Sequence, residues 1–263
     1  MQQIPHPLSM STDVPIKGVN NIYFFDTVDS TNTIAKVFSQ QGEPEGSVFV
    51  AKQQLKGRGR HARTWVSTVG GLYFSVLLRP PCTSYLSLFP LLSAVSVAST
   101  LASYQVQAAI KWPNDVHIKG KKIAGILVES SLQANHVDYV IVGIGLNVNQ
   151  TREHFPQDLS ATSLLLEKGE PVDEQQLLYH MLSSFQTLYH LWRQEAYEQI
   201  IMKWKQWTDT LGKEVEIHLQ KDILQGKAVD VDSYGRLLLN TGDQQHVISS
   251  GDCLYLKQKT KKL

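Results

Sequence analysis

Four cationic side chains, Lys56, Arg58, Arg60 and Arg63, are set around Gly57 and Gly59 in the stretch QQLKGRGRHARTW, residues 53–65, with no acid among them. Such charges repel one another unless an anion sits between them, and the glycines remove side chains that would keep a ligand from the backbone. A phosphate, a carboxylate or a nucleic-acid backbone would each satisfy the arrangement. A second group lies in KWPNDVHIKGKKIAG, where Lys111 and Lys122 bracket Asn114 and Asp115, and Pro113 stiffens the chain where Asn and Asp can turn it. Lys122 stands before IAG on a strand expected to be interior, so its ammonium needs an anionic partner to offset desolvation. Lys119 and Lys121 fall in the turn, where lysines normally meet water.

Taken singly, these residues have ordinary readings. Arginines in a glycine-rich loop are as often solvated as functional, and Trp65 and Trp112 fit core aromatics as well as stacking platforms. Ser30, Thr31 and Asn32 suit a helix cap, Asp115 a turn, Asn147 a strand end, and Lys122 alone a structural role. Their joint occurrence is what points to a site. No G-x-x-x-x-G-K-[ST], G-x-S-x-G or H-E-x-x-H occurs, and GIGLNV (143–148) has two of the three dinucleotide-motif glycines without opening a helix.

The elements that must hold these residues are those of an ordinary globular chain. With 263 residues, 42% of them hydrophobic, it can bury a large core and carry one large domain plus a small one. Its 25 Lys and Arg balance 24 Asp and Glu, which makes the basic cluster local and argues against a chain that coats nucleic acid. The first residues lack a charged n-region followed by an apolar run, and no stretch reaches the ~20 apolar residues of a membrane span; the expected location is the cytoplasm. Cys82 and Cys253 have no second cysteine at ligand spacing and read as packing residues.

Residues 1–20 read as a loose arm, too short for a helix-turn-helix. NIYFFDTV reads as a strand, followed by a helix that starts near Ser30 or Thr31. SVFVAKQ and LYFSVLL read as strands flanking the cationic loop, which would hang from a sheet edge. Residues 86–104 read as a buried helix with Pro90 in its first turn. AAIKWPNDVHI, IAGILVES and HVDYVIVGIGLNVN supply further strands with a hairpin at KGKK. From Asp173 to Trp207 the period becomes 3.6, predicting helices over one face of the sheet. Beyond a boundary near 211, short alternating strands predict a small SH3-like barrel ending in a basic tail.

DSTN (29–32), GRGRHARTW (57–65), KWPND (111–115), KKIAGILVE (121–129) and GIGLNVN (143–149), in that order, together with AVDVDSYGRLLL (228–239), resemble the biotin protein ligase family across residues 22–257. The resemblance implies an α+β fold, a mixed, mostly antiparallel, class II synthetase-like sheet covered by helices (21–211) with an SH3-like C-terminal domain (212–263). It implies an enzyme that joins biotin to ATP as biotinyl-5′-AMP and passes the biotinyl group to a lysine of a biotin carboxyl carrier domain, that of acetyl-CoA carboxylase. The residues fit such chemistry: a carboxylate must meet a phosphate, and cations with freed amides can hold both. Carried over by position, Ser30, Thr31, Asn32 and Gln54 contact biotin, with Gly57, Gly143 and Gly145 allowing close approach. Arg58, Gly59 and Arg60 close over carboxylate and phosphate, and Lys122 holds both anions. Trp65 stacks the adenine, Asn114 and Asn147 bind nucleotide, and Asp115 helps the target lysine lose its proton. Mg2+ is implied with ATP, and no protein ligand for it is assigned.

Lys56 and Ala62 depart from the family, which usually has a small residue and glycine there; the extra charge is expected to tighten phosphate binding and the alanine to stiffen the loop. The short arm implies the ligase-only type, without DNA binding, and an exposed strand beside the hairpin would let two copies pair. A lipoate ligase or octanoyl transferase is the rival enzyme, and a phosphate-gripping nucleic-acid module the rival of another class. The resemblance carries one expected outcome: Arg60→Gly releases the activated intermediate, read as biotinylation of bystander lysines by blot. A variant that stays strictly selective would remove Arg60 from that role.

Overall fold

The computed structural model describes residues 5–11, 16–133, 136–219, 222–242 and 244–256. Runs rich in Val, Ile and aromatics build one mixed sheet from β1 (Ser9–Ser11), β2 (Ile22–Val28), β3 (Val48–Gln54), β4 (Gly71–Leu78), β5 (Ala109–Lys111), β6 (Asp115–Ile118), β7 (Lys121–Gln133) and β8 (His136–Asn147). The spatial order is β1-β2-β3-β4-β8-β7-β6-β5. Neighbours are antiparallel except β2 and β3, which run parallel because α1 (Thr31–Gln40) carries the chain between them. Two expectations change here. Residues 9–11 are not loose but add an edge strand opposite Ile22–Phe24. The cationic loop joins β3 and β4, which are interior strands paired with each other, so it rises from the middle of the sheet rather than from an edge.

One face of the sheet packs on α2 (Phe89–Ser103), α4 (Glu174–Arg193) and α5 (Tyr197–Trp207), forming the main core. The segment Leu86–Ser103 has the length and composition of a membrane span, yet it serves as the central helix of this core. Its serines turn inward on their own helix, as Ser93 donating to the Phe89 carbonyl at 2.6 Å shows. The apolar stripe of α4 from Leu177 to Trp192 is buried as its period predicts, and Asp173 caps the helix by accepting from the Gln175 and Gln176 amides.

The opposite face is divided. Alternation along β8 sends Val140, Val142, Ile144 and Leu146 into the main core and turns Tyr139, Ile141, Gly143, Gly145 and Asn147 the other way. Helix α1 covers the Tyr139–Ile141 end with Ile34 and Ala35. Beyond Ile141 the side chains shrink to glycine and the sheet surface is left open. A short helix α3 (Leu164–Lys168) follows the sheet.

The C-terminal strands β9 (Glu214–His218), β10 (Ile223–Val231), β11 (Leu237–Thr241), β12 (Gln244–Ile248) and β13 (Asp252–Tyr255) form a separate antiparallel sheet in the order β12-β11-β10-β9-β13. The lysine-rich tail lies outside the described residues. This small sheet is fastened to the large one: Trp112, 2% exposed, donates its indole N–H to the Gly235 carbonyl at 3.1 Å, and Tyr85 stacks between Tyr197 and Tyr234 at 3.8 and 4.6 Å. Trp112 is therefore a core aromatic. Asp209 receives His117 at 3.0 Å, Lys213 at 2.6 Å and the Tyr255 hydroxyl at 2.6 Å.

Burial opposes ionisation of Asp209, but the hydrogen bonds from His117, Lys213 and Tyr255 outweigh it and hold the carboxyl well below the usual range. A depressed folded-state value means the stabilisation is complete above the unfolded value of about 4 and is lost as pH falls below it. Asp209→Asn should lower stability at pH 7 by about 2 kcal/mol and flatten the acid limb of a melting-temperature profile. An unchanged acid limb would dismiss the network as a pH-linked fastening.

Candidate active site

Over the glycine-bared sheet lies a cavity of about 310 Å³. Its floor is Gly125 and Leu127 of β7 beside Gly145 and Gly143 of β8, paired directly across the ladder, so that a glycine faces a glycine. The start of α1 closes one end, Lys122, Asp115, Asn114 and Asn147 the other, and the cationic loop forms the roof. All the sequence-predicted site residues reach this cavity except Gly57. That glycine lies at the base of the loop, where a Cβ would come within 2.4 Å of the Trp65 carbonyl and of Ser67 Oγ.

At the α1 end the helix begins without a side-chain cap, so Ser30 keeps its hydroxyl for other partners. Gln54 accepts from the Thr31 amide at 2.9 Å and donates to Ser67 at 2.9 Å, tying the helix start to the base of the loop. Asn32 accepts from Ser75 at 2.6 Å and donates to Glu129 at 2.7 Å. A Cβ on Gly143 would sit 2.0 Å from Asn32 Oδ1, and one on Gly145 would sit 2.5 Å from the Trp65 indole nitrogen. Both glycines thus make room for the protein's own side chains, a tighter constraint than room for a ligand alone.

The four loop cations are not left to repel one another. Lys56 pairs with Asp29 at 2.9 Å, Arg58 binds both oxygens of Glu129 at 3.1 and 2.7 Å, and Arg63 pairs with Asp252 of the small sheet. Lys56 does not line the cavity. Arg60 is different: its guanidinium donates to two neutral oxygens, Asn114 Oδ1 and the Gly251 carbonyl, each at 3.2 Å. Burial lowers its pKa, against the pull of Asp252 and Asp115. Among the described residues it has no carboxylate at ion-pair distance, alone of the four.

Lys122 reaches Asp115 at 2.6 Å and stands 5.2 Å from the centre of the Trp65 ring. The indole lies on the bare Gly125–Gly145 patch, its N–H buried and without a partner among the described residues. Asn114 donates to the Ile126 carbonyl while its Oδ1 accepts from Arg60, and Asn147 donates to the Thr162 carbonyl. Among the described residues no three His, Cys, Asp or Glu side chains gather as metal ligands. His61 and Ala62 have φ of +53° and +58°, so Ala62 holds a left-handed backbone where glycine would sit without strain.

Three contributors escaped the sequence. Gly125 has a signal in retrospect, since its strand register sets it opposite Gly145. Glu129 and Asp252 have none, because they meet the loop across 71 and 189 positions of chain.

A sheet bearing a flat, cation-rimmed cavity, roofed by a glycine loop that leans on a small β-domain, defines a binding site for anionic partners. Residues 24–147 match the biotin/lipoate A/B protein ligase family, and residues 210–255 match the biotin protein ligase C-terminal domain. The bifunctional ligase/repressor BirA of Bacillus spizizenii is 36% identical over 240 residues, covering 88% of this chain and 73% of that one. The biotin–acetyl-CoA-carboxylase ligase of Mycobacterium tuberculosis is 34% identical, covering 81% of this chain and 80% of that one. The biotin protein ligase of Aquifex aeolicus, solved with biotin and ATP, superposes with a TM-score of 0.79 at 32% identity over 90% of this chain and 98% of that one. The chain belongs to the biotin protein ligase family.

The two floor glycines should differ under substitution. Gly143→Ala drives a methyl into a buried, hydrogen-bonded Asn32 and should cost about 1–3 kcal/mol by overpacking. Gly145→Ala has its nearest contacts with the Trp65 indole on the roof, so if that ring yields it should leave the melting temperature nearly unchanged while exposing Trp65 to fluorescence quenchers. Equal destabilisation by both would refute this account of the floor.

Proposed function

We propose that the cavity joins biotin to ATP and then hands the biotinyl group to a lysine of a biotin-carrier domain. The observation that carries this reading is Arg60, a half-buried guanidinium facing the cavity that, among the described residues, donates to neutral acceptors only. A desolvated cation in that setting is offset by an anionic ligand. The volume suits a small molecule, and the relatives that share the fold are ligases, one of them solved with biotin and ATP.

In this reading the ureido end of biotin lies at Ser30 and Asn32 with Gln54 behind, and its chain runs over the glycine floor toward Arg60 and Lys122. A carboxylate oxygen attacks the α-phosphorus of ATP, the new P–O bond forms, and the α–β bridge breaks to release pyrophosphate. Arg60 and Lys122 hold the two reacting anions together and stabilise the charge that grows on the phosphorus oxygens. Arg58 and Gly59 keep the loop over them and exclude water from the mixed anhydride. Trp65 offers a face for adenine, and Asn114 and Asn147 keep amide groups at the nucleotide end. Mg2+ brought with the nucleotide as co-substrate would supply charge neutralisation for the departing pyrophosphate.

In the second step a neutral lysine amine attacks the acyl carbon, the C–N bond forms, AMP leaves, and the amine proton must be accepted. Asp115 is the carboxylate at that end. While Lys122 is on Asp115 the pair is neutral; when the ammonium turns to the substrate phosphate, the carboxylate is free to take the proton.

Exchange of labelled pyrophosphate into ATP should depend on biotin, and labelled biotin should appear on a carrier domain only when ATP and Mg2+ are present. Exchange driven by lipoate and not by biotin would transfer the assignment to the lipoate branch of the family. Lys122→Ala should depress adenylate formation by about 10²–10³-fold and transfer from supplied adenylate much less. Equal losses in both steps would argue against a role confined to the first.

A further inference from the structure

Glu129 does not line the cavity, yet it touches two residues that do. On β7 it stands in register with Ile141, one strand step beyond Leu127 on the floor face, behind the α1 end of the cavity. Its Oε2 accepts from Asn32 Nδ2 at 2.7 Å and from Arg58 Nη2 at 2.7 Å, while Oε1 accepts from Arg58 Nη1 at 3.1 Å. One carboxylate thus serves a helix residue of the large domain and the roof loop together.

The chemistry of that contact fixes more than position. An ionised carboxylate only accepts, so the amide of Asn32 must turn its NH2 toward Glu129. Asn32 Oδ1 is then set toward Ser75 and Gly143, with a lone pair left over beyond the Ser75 hydroxyl. An amide turned the other way would place two acceptors against each other at Glu129. On the loop side the bidentate grip holds Arg58 in one geometry, and Arg58 belongs to the same short loop as Arg60 and Trp65.

We infer that Glu129 is a positioning residue that couples the two halves of the cavity, so that a ligand bound at Asn32 favours the closed loop and thereby raises the affinity of the second ligand beneath it. The inference rests on the functional reading above, with biotin at the Asn32 end and nucleotide under the loop. By linkage the effect is reciprocal: nucleotide raises the affinity for biotin by the same factor. Neither Asn32 nor Arg58 alone provides this: among the described residues no hydrogen bond joins them directly, and Glu129 supplies the bridge.

The test is calorimetric titration of biotin in the absence and presence of a saturating non-hydrolysable ATP analogue. Wild-type protein should show a coupling factor of about tenfold, and Glu129→Gln, which keeps the shape and loses the acceptor-only charge, should bring it to about onefold. Arg58→Met leaves the Glu129 contact with Asn32 in place and provides a second variant; it should also lose coupling, and adding Glu129→Gln to it should change the coupling no further. Trypsin cleavage at the loop arginines should be suppressed by biotin in wild type and not in Glu129→Gln. Retention of wild-type coupling by either variant, additive losses in the double variant, or absence of coupling in wild type would overturn the inference. A wild-type protein that binds no biotin and catalyses no exchange would instead defeat the functional reading itself.

Discussion

Arg60 sits between the glycine floor, the KWPND turn and the small C-terminal sheet, donating to one amide oxygen and one carbonyl. A guanidinium cannot shed its proton near neutral pH, so burial leaves it charged and short of solvation. Dipoles of neutral oxygens recover part of that loss, and an opposite charge recovers more. The other cations around it are already matched: Arg58 with Glu129, Arg63 with Asp252, Lys122 with Asp115. The unmet electrostatic demand of the cavity is therefore concentrated at one point. In the function proposed above, an incoming anion would be drawn to Arg60, and Lys122 would follow by exchanging Asp115 for it.

The matched cations have a mechanical consequence. Exposed ion pairs contribute little to stability one at a time. These, however, tie one loop to two places, β7 through Arg58 and the small sheet through Arg63, and they act on a backbone that is strained at His61 and Ala62. Left-handed conformations in non-glycine residues persist only where the surroundings hold them. The loop is thus closed by contacts that are individually weak and mutually reinforcing. Such a closure can be released without disturbing the sheet beneath, which suits a roof that must admit ligands and retain an intermediate.

Much of this was legible in the sequence because it is local or periodic. The alternation in β8 is written in GIGLN, where Ile144 and Leu146 take the core and Gly143, Gly145 and Asn147 take the cavity. The α4 stripe is written in its three- and four-residue steps, and the loop announces itself by four cations without a neighbouring acid. That last reading was true along the chain and false in space. Glu129 and Asp252 neutralise the loop from other strands, and no local pattern encodes a contact of that span. The supposed edge position of the loop failed for the same reason: β3 and β4 are recognisable as strands, but their interior place depends on β8 pairing with β4 from some 70 residues away. The short β1 went unseen because three residues carry no periodicity.

The bare patch at Gly125 and Gly145 brings these threads together. Glycine weakens a strand, since it loses more backbone entropy on folding and offers no side chain to pack. Here the loss is offset by neighbours on the other face, where Ala124, Ile126, Ile144 and Leu146 are buried in the main core. What the sheet gains is a flat surface that a planar group can approach closely. In this structure that group is the Trp65 indole, whose N–H finds no acceptor among the described residues and whose ring is held by dispersion against the glycines and by the Lys122 ammonium. Both contacts are available equally to another thin ring or chain laid on the same floor, whereas the missing hydrogen bond is a cost only the buried indole bears. The indole is therefore a displaceable occupant, and its departure toward the roof would free the floor and offer an aromatic face to whatever binds beside it.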